Sequence, residues 1–467
     1  MDNIFFLSCF LPLVLAAYWL VPGLKGKNTV LLVCSLLFYS FGSLTGLALL
    51  LAMALANYLL GIALKGGKYQ KRSRFRKAAL VAGLVLNLAF LGFFKYADFV
   101  LSGILGLPPL QTGIAVPLGI SFFTFKCISY LMDAFRDCRQ ATSSFGTLLL
   151  YISFFPQITM GPITRFCEFA PQLKSRTLTL TNTARGLRRF ACGLGKKILI
   201  AGTLATVADG VFGFESVDAR LAWAGAIAYC LQLYFDFSGY IDMVIGLGTC
   251  FGFATRENFN HPYTATTIGG FWRRWHMSLS AWFKDYLYIP LGGNRKGQLR
   301  AGINKSIVFL LCGLWHGAAW TFVIWGLWHG LFSLLESLNV IPAKKLSSGK
   351  GRILGHIYTL LVVCIGFVMF RAETVGQGLQ VIGAMFAGFR FTDAGTVQIF
   401  RLLNAQTVLA MVLGIVFSMP LSKKLRASSR LGSLADRASY PGALVLLVLC
   451  IIKMAAGDFA PSIYAQF

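Results

Sequence analysis

Long apolar runs separated by short basic segments make up most of this 467-residue chain. A helix that crosses a bilayer needs about 20 consecutive apolar residues, and the runs provide room for roughly a dozen such helices. Only 13% of the residues are charged, whereas a typical globular domain has about 25%. The pattern predicts an all-α, polytopic integral membrane protein with roughly 11–13 transmembrane or re-entrant helices, and it excludes an ordinary soluble protein.

The charge balance is strongly basic, with 43 Lys and Arg against 17 Asp and Glu and a net charge of +26. Such an excess fits either nucleic-acid binding or the cytoplasmic loops of a membrane protein. The basic residues cluster at the ends of apolar runs, as in residues 65–77, which contain seven Lys or Arg and no acid. This placement follows the positive-inside rule, so we expect no nucleic-acid partner.

The basic loops also predict the topology. Lys25 and Lys27 follow the first apolar run and place that loop in the cytoplasm, so the N-terminus is expected outside. The cluster at 423–437 precedes the last run, which makes residues 457–467 an extracytoplasmic C-terminal tail. The first run lacks a basic start and a small-residue cleavage site, so it is expected to be a span. The sequence shows no internal repeat and no separate soluble domain, so residues 1–467 are expected to form a single membrane domain.

Several familiar site motifs are missing from the sequence. The 11 cysteines occur singly and never as C-x-x-C, which favours packing roles over a disulfide framework or a metal site. There is no glycine-rich phosphate loop, dinucleotide fingerprint, serine nucleophile elbow or H-E-x-x-H helix. ATP-driven transport, hydride transfer and metalloproteolysis are therefore disfavoured. Acyl transfer by a histidine remains compatible, and we expect no bound metal or cofactor.

The segment 256–330 is expected to be the catalytic core. Within it, residues 269–291 read GGFWRRWHMSLSAWFKDYLYIPL, with aromatic residues at helical spacing. This spacing predicts an amphipathic helix at the membrane interface that carries His276 on its aromatic face. The pattern leaves two roles open for His276, a side chain that snorkels from a Trp-rich anchor or a functional group.

Two more histidines, His316 and His329, lie within an otherwise apolar run. An ionisable side chain in hydrocarbon is costly, so an intramembrane histidine is a functional candidate. Their separation corresponds to about 220° around a continuous helix, so the rings cannot share a face unless the helix breaks at Gly317 or Gly326. One histidine is expected to be catalytic and the other structural, and the small residues Gly317 and Ala318 favour His316 as the catalytic one.

Polar residues interrupt two further apolar runs. Gln232 and Asp236 lie one helical turn apart. A buried acid of this kind is expected to pair with a base, such as an Arg of the 273–295 segment, or to line a polar cavity. Residues 153–165 contain Gln157 and are interrupted by Pro and Gly, which indicates either part of a tunnel wall or an ordinary kinked span.

Taken together, four stretches resemble the membrane-bound O-acyltransferase (MBOAT) superfamily, and within it the bacterial alginate O-acetyltransferase subfamily, which acetylates exported polysaccharides. They are FFPQITMGPITRF (154–166), QLYFDFSGYIDMVIGLG (232–248), NFNHPYTATTIGGFWRRWHMSLSAWFKDYLYIPLGGNRKG (258–297) and LCGLWHGAAWTFVIWGLWHG (311–330). With the hydrophobic profile, the resemblance is effectively full-length. It implies a ring of helices around a thin central region, where a cytoplasmic tunnel for the acyl donor meets an extracytoplasmic funnel for the acceptor.

The resemblance also implies roles for particular residues. By position, His316 matches the near-invariant intramembrane histidine of the superfamily, and His276 matches the second polar residue on the preceding motif helix. We expect His316 to be the general base and His276 to position the donor or stabilise the oxyanion. The donor is expected to be acetyl-CoA or a similar acyl thioester. The candidates for donor or substrate binding are Arg273, Arg274, Trp275, Lys284, Asp236 and Gln157, with Arg295 and Lys296 as further basic residues for donor phosphates.

The C-terminal sequence APSIYAQF partly matches a short motif of related acylation systems, F-x-Y-x-x-F, whose tyrosine is thought to take the acyl group. Tyr464 and Phe467 match, whereas Ser462 replaces the first Phe. Tyr464 is therefore a candidate acyl relay, and an ordinary tail residue is the alternative.

The partners implied by the resemblance are a polysaccharide acceptor, such as alginate, another exopolysaccharide or peptidoglycan, and an extracytoplasmic SGNH or serine-hydrolase-like acetyltransferase. The location implied is the bacterial plasma membrane. Two alternatives remain open. One is D-alanyl transfer to teichoic acid, and the other is a non-catalytic transporter of polysaccharide or lipid, which would predict charged residues along a path and often inverted repeats.

Overall fold

A computed structural model describes residues 3–65, 74–110, 114–137, 140–421 and 429–457. This part of the chain is helical and contains no β-strand, as the all-α prediction requires. The helices are α1 (Leu11–Leu20), α2 (Gly23–Ser40), α3 (Leu44–Leu64), α4 (Arg74–Leu101), α5 (Ile120–Arg136), α6 (Phe145–Ser153), α7 (Phe166–Lys174), α8 (Leu180–Gly195), α9 (Gly202–Phe212), α10 (Ala219–Cys250), α11 (Ile268–Trp272), α12 (Met277–Phe283), α13 (Gly297–His316), α14 (Trp320–Ser337), α15 (Ala343–Leu346), α16 (Gly351–Arg371), α17 (Val375–Ala387), α18 (Asp393–Leu402), α19 (Ala405–Ser418) and α20 (Ser429–Ala455).

Three π-helical turns complete the helical segments. They precede α1 (Phe6–Phe10), join α8 to α9 (Lys196–Ala201) and follow α12 (Lys284–Tyr288), and a 3-10 turn lies at Pro262–Thr264. The chain breaks between α2 and α3, where the Ser43 hydroxyl accepts a hydrogen bond from the Gly46 N–H and caps α3.

Several helices are long and apolar enough to cross a membrane. Within the described residues five qualify, or six if the α18–α19 pair, bent by 67°, is one span. The five are Leu44–Leu64, Arg74–Leu101, Leu180–Phe212, Gly351–Arg371 and Asp436–Ala455. The multi-pass membrane class is confirmed, while the number of crossings and the orientation of the termini stay predictions.

The chain divides into two compact units. The first comprises Met1–Gly186 and Val244–Arg256. Its core is rich in phenylalanine, and the rings of Phe169 and Phe253 stack with centroids 5.1 Å apart. The Pro- and Gly-interrupted stretch is buried here, and α6 ends at Ser153 where the sequence predicted a break. Gly119 packs against it with a positive φ of 67°, and a Cβ there would lie 2.1 Å from the Ile158 carbonyl oxygen, so glycine is required.

The second unit comprises Leu187–Met243 and Glu257–Phe467. Within it α8 and α10 approach backbone to backbone, because a Cβ on Gly193 would lie 2.5 Å from the Gly239 carbonyl oxygen. Asp242 on α10 accepts from Arg189 at 2.7 Å and from Lys196 at 2.6 Å. Paired charges of this kind allow a polar stripe between apolar helices. This unit contains the candidate site.

Candidate active site

The α13–α14 hairpin is built on glycines. A Cβ on Gly313 would lie 2.3 Å from the Phe322 carbonyl oxygen, and one on Gly326 would lie 2.6 Å from that of Phe309. The two helix backbones are therefore in direct contact, as small residues permit in membrane helices. Such close packing fixes the position of side chains at the end of α13.

His316 is the last residue of α13, and the helix ends because the Gly317 backbone is extended. A break at Gly317 was one of two alternatives, with Gly326, under which the two histidines could share a face. The rings of His316 and His329 both contact the Trp325 ring, with centroid distances of 5.3 and 5.1 Å. The two histidines therefore surround one indole without sharing a continuous helix.

The prediction of a single amphipathic helix over 269–291 is wrong. Two short helices, α11 and α12, are separated at residues 273–276, and His276 adopts a left-handed backbone with φ of 44°. The reason is that Asn258 binds the backbone just after His276, with its carbonyl oxygen accepting from Met277 N at 3.0 Å and its side-chain oxygen accepting from Ser278 N at 2.8 Å. A non-glycine residue with positive φ is strained and is often found at functional sites.

The break turns His276 into the protein instead of leaving it at an interface. Its side chain is only 2% exposed. The imidazole packs edge-on against Phe237 with centroids 4.7 Å apart, and it contacts Trp315 at 6.2 Å. Trp315 also contacts the His316 ring at 5.0 Å, so one indole touches both candidate catalytic rings.

The two candidate catalytic histidines share one cavity of about 290 Å³. His276 and His316 both line it, whereas His329 is absent from its wall. The wall is mostly apolar and aromatic, with a few polar groups, as is usual for sites that bind small molecules. The lining residues are Gly269, Trp272, Arg273, Trp275, His276, Leu279, Ser280, Phe283, Lys284, Tyr288, Lys305, Val308, Phe309, Cys312, His316 and Ser333.

The charged side chains of the cavity wall are all basic: Arg273, Lys284 and Lys305. Arg273 and Lys284 are exposed, and within the described part of the chain neither side chain has a hydrogen-bond or ion-pair partner. Lys305 is partly buried and donates to the Ser337 hydroxyl at 2.8 Å. No carboxylate lines the cavity among the described residues, so its open edge favours an anion.

Of the other sequence candidates, one lines the cavity and the rest lie elsewhere or outside the described residues. Trp275 lines the cavity, but Arg274 donates to the Thr264 hydroxyl at 3.1 Å and is not part of the wall. Asp236 forms an ion pair with the buried Lys197, a base outside the 273–295 segment in which the sequence analysis sought one.

Two candidates are not in the second unit's described residues. Gln157 belongs to the first unit, where it is buried and its side-chain oxygen lacks a hydrogen-bond partner among the described residues. Tyr464 and the proposed tail from 458 onward lie outside the described residues.

Lys305, Glu336 and Asn258 were not among the residues predicted from the sequence. Lys305 precedes His316 by three helical turns on α13, so it shares that face, and helical spacing could have identified it. The Glu336 carboxylate on α14 accepts from Ile268 N at 2.6 Å and Gly269 N at 2.9 Å, which fixes the start of α11. Neither Glu336 nor Asn258 could be found by spacing, because each acts on a segment distant in the sequence.

Comparison with known proteins gives a consistent picture. The family described as "MBOAT, membrane-bound O-acyltransferase family" matches residues 31–366. A probable alginate O-acetylase from Pseudomonas putida is 38% identical over 99% of this chain and 99% of its own length. A peptidoglycan O-acetyltransferase from Helicobacter pylori is 38% identical over 81% of this chain and 78% of its own. A teichoic acid D-alanyltransferase from Bacillus subtilis is 29% identical over 55% of this chain and 69% of its own.

Proposed function

Because the chain belongs to the membrane-bound O-acyltransferase family, we propose that it transfers an acetyl group from a cytoplasmic thioester, acetyl-CoA, towards O-acetylation of an extracytoplasmic polysaccharide. The chain is an acyltransferase by its family and its relatives. The observation that carries the proposed mechanism is that His276 and His316, which are distant in sequence, line one cavity with a basic edge.

In the proposed reaction His316 is the general base. It takes the proton of the acceptor hydroxyl as the oxygen attacks the thioester carbonyl carbon, which becomes tetrahedral. The carbonyl then re-forms and the C–S bond breaks, so the acceptor keeps the acetyl group. The sulfur takes the proton back from His316 and leaves as the thiol. A positioned base of this kind contributes about 10²–10⁴-fold to the rate.

His276 would stabilise the oxyanion that forms on the carbonyl oxygen. A hydrogen-bond donor held at such a position is worth about 10²–10³-fold in kcat. Trp315 contacts both imidazole rings and Trp275 lines the cavity, and these two side chains would keep water from the thioester, which favours transfer over hydrolysis.

The basic edge would bind the phosphates of the donor. Arg273 and Lys284 are exposed and lack partners within the described residues, and Lys305 lies further in. Phosphate oxygens accept strong hydrogen bonds from guanidinium and ammonium groups. Arg274 and Asp236 would support the fold around the site instead, since each has its own partner.

The later steps rest on the resemblance. Tyr464 would accept the acetyl group on the extracytoplasmic side and pass it to a serine-hydrolase-like partner that acetylates the polysaccharide. This path requires the C-terminal tail to lie outside the plasma membrane, as the basic loops predict. The relatives named as alginate O-acetylase and peptidoglycan O-acetyltransferase support polysaccharides as the acceptor class.

The test is His316→Ala in cells that acetylate a surface polymer. We expect loss of O-acetylation with normal insertion of the protein, because the base is removed while the hairpin glycines remain. The matched control is His356→Ala on α16, whose ring contacts the Ala265 carbonyl oxygen at 3.1 Å and does not line the cavity. Full acetylation in His316→Ala would refute the assignment.

A second experiment identifies the donor and the relay. The purified protein is incubated with labelled acetyl-CoA or, separately, with a labelled D-alanyl carrier protein, and label is sought on Tyr464 or on a co-purifying partner. Labelling only from a D-alanyl carrier protein would favour the teichoic acid alternative, and no labelling from either donor would favour a transporter. Normal transfer in Tyr464→Phe would remove the relay and leave the role of His316 intact.

A further inference from the structure

Asn258 lies beside His276 and is completely buried. Its side-chain oxygen accepts from the Ser278 N–H at 2.8 Å, and its amide nitrogen is 3.2 Å from His276 Nδ1. The contact of the oxygen with Nδ1 is longer, at 3.4 Å. A backbone N–H can only donate, so the amide oxygen is the atom that faces Ser278, and the NH₂ group then makes the shorter contact with the imidazole.

The orientation of the amide decides where the imidazole carries its proton. An amide NH₂ can only donate, so its shorter contact with His276 Nδ1 favours a lone pair on that nitrogen. The ring is buried against Phe237 and Trp315, where an unpaired imidazolium would be costly. A neutral ring with a lone pair on Nδ1 carries its single proton on Nε2.

His276 Nε2 is buried and has no hydrogen-bond partner within the described part of the chain, although the ring lines the cavity. A buried donor without a partner is costly, and it persists where a ligand can satisfy it. The N–H therefore suits an oxygen that enters the cavity with the substrate.

We infer that Asn258 is a positioning residue that holds His276 as the Nε2–H tautomer, so that His276 donates a hydrogen bond to the thioester carbonyl oxygen. This inference rests on the proposed acyl transfer. In the reaction the C=O π electrons move onto that oxygen as the acceptor attacks, and Nε2 keeps its proton throughout. The two histidines thus differ in role, since a ring with Nε2 protonated cannot accept the acceptor's proton there, and the base is His316.

The first test is NMR of the full-length protein in detergent, labelled with ¹⁵N-histidine. His276→Gln identifies the His276 signals among the five histidines. We expect Nε2 to be protonated and Nδ1 to be unprotonated in the unsubstituted protein. A protonated Nδ1, in either the other tautomer or an imidazolium, would overturn the inference. This result does not depend on acetyl transfer, so it is separate from the failure of the proposed function.

The second test is Asn258→Asp, which keeps an oxygen for the Ser278 N–H but places a second acceptor against Nδ1. The proton should move to Nδ1, and kcat should fall about 10²–10³-fold, the loss expected for one oxyanion donor. In a His276→Gln background the glutamine side chain donates through its NH₂ group, which has no tautomers that Asn258 could select. Adding Asn258→Asp there should therefore change kcat less than about 3-fold. An equal loss in both backgrounds would mean that Asn258 acts only through the fold. Should Asn258→Asp fail to fold, the NMR of the unsubstituted protein still decides.

Discussion

Adding one methyl group at Gly313 should separate α13 from α14, the two helices of the hairpin that carries His316. The new Cβ would lie 2.3 Å from the Phe322 carbonyl oxygen and 3.3 Å from the Gly326 Cα, whereas ordinary contact begins at 3.4 Å. Both neighbours are backbone atoms that cannot rotate away. The backbones must therefore separate by about 1 Å, and overpacking of this kind costs about 1–3 kcal/mol.

The displacement should also move His316, because Gly313 lies three residues before it on the last turn of α13. A misplacement of about 1 Å in a catalytic group can lower the rate about 10²-fold. We expect Gly313→Ala to lower both the melting temperature in detergent and the kcat of acetyl transfer, the latter by roughly that factor.

The matched control is Gly383→Ala on α17, where a Cβ would meet no atom within 4 Å. Alanine has the better helix propensity by about 1 kcal/mol, so this variant should melt at the same or a higher temperature with unchanged kcat. Two results would refute the reasoning. One is a Gly313→Ala protein that behaves like the control, and the other is a destabilised protein with normal kcat, which would show that hairpin spacing does not position His316.

Three further sets of substitutions test the surroundings of the site. Arg273→Gln with Lys284→Gln should raise the KM for acetyl-CoA with little change in kcat, and steady-state kinetics in which kcat falls instead would contradict donor binding by the basic edge. Asp236→Asn should destabilise the protein by about 3–5 kcal/mol because it removes the ionised partner of the buried Lys197, and thermal melting should show that the double variant with Lys197→Met recovers part of the loss. Glu336→Gln replaces one of two acceptors at the start of α11 with a donor, so melting should show a loss of about 1–3 kcal/mol, whereas unchanged stability would mean that the contact is not essential.

The sequence predicted the class of the fold because hydrophobic runs and basic loops are local signals. The angular spacing of His316 and His329 excluded a shared face on a straight helix, so the sequence named a break at Gly317 as one way in which the two residues could come onto one face. The helix does end at His316. The break at His276 was not predictable from periodicity, because Asn258 imposes it from outside the segment. For Asp236 the sequence suggested either a base, such as an Arg of the 273–295 segment, or a polar cavity, and its ion-pair partner Lys197 lies on the π-helical turn between α8 and α9.

The residues that line the cavity were predicted in part. His276, His316, Arg273, Trp275 and Lys284 were identified, because aromatic and charged residues within an apolar chain are conspicuous. Arg274 is adjacent to two of them but faces Thr264, which shows that a basic pair in the sequence need not act as a pair.

The basic edge of the cavity would contact the part of a phosphorylated donor that acyl transfer leaves unchanged. Arg273, Lys284 and Lys305 would therefore bind acetyl-CoA and free CoA about equally, since the phosphates are identical in both. Binding that is uniform in this sense lowers KM without lowering the chemical barrier, and it retains the product as strongly as the substrate. The enzyme would then respond to the cytoplasmic ratio of acetylated to free CoA and slow its export of acetyl groups whenever free CoA accumulates.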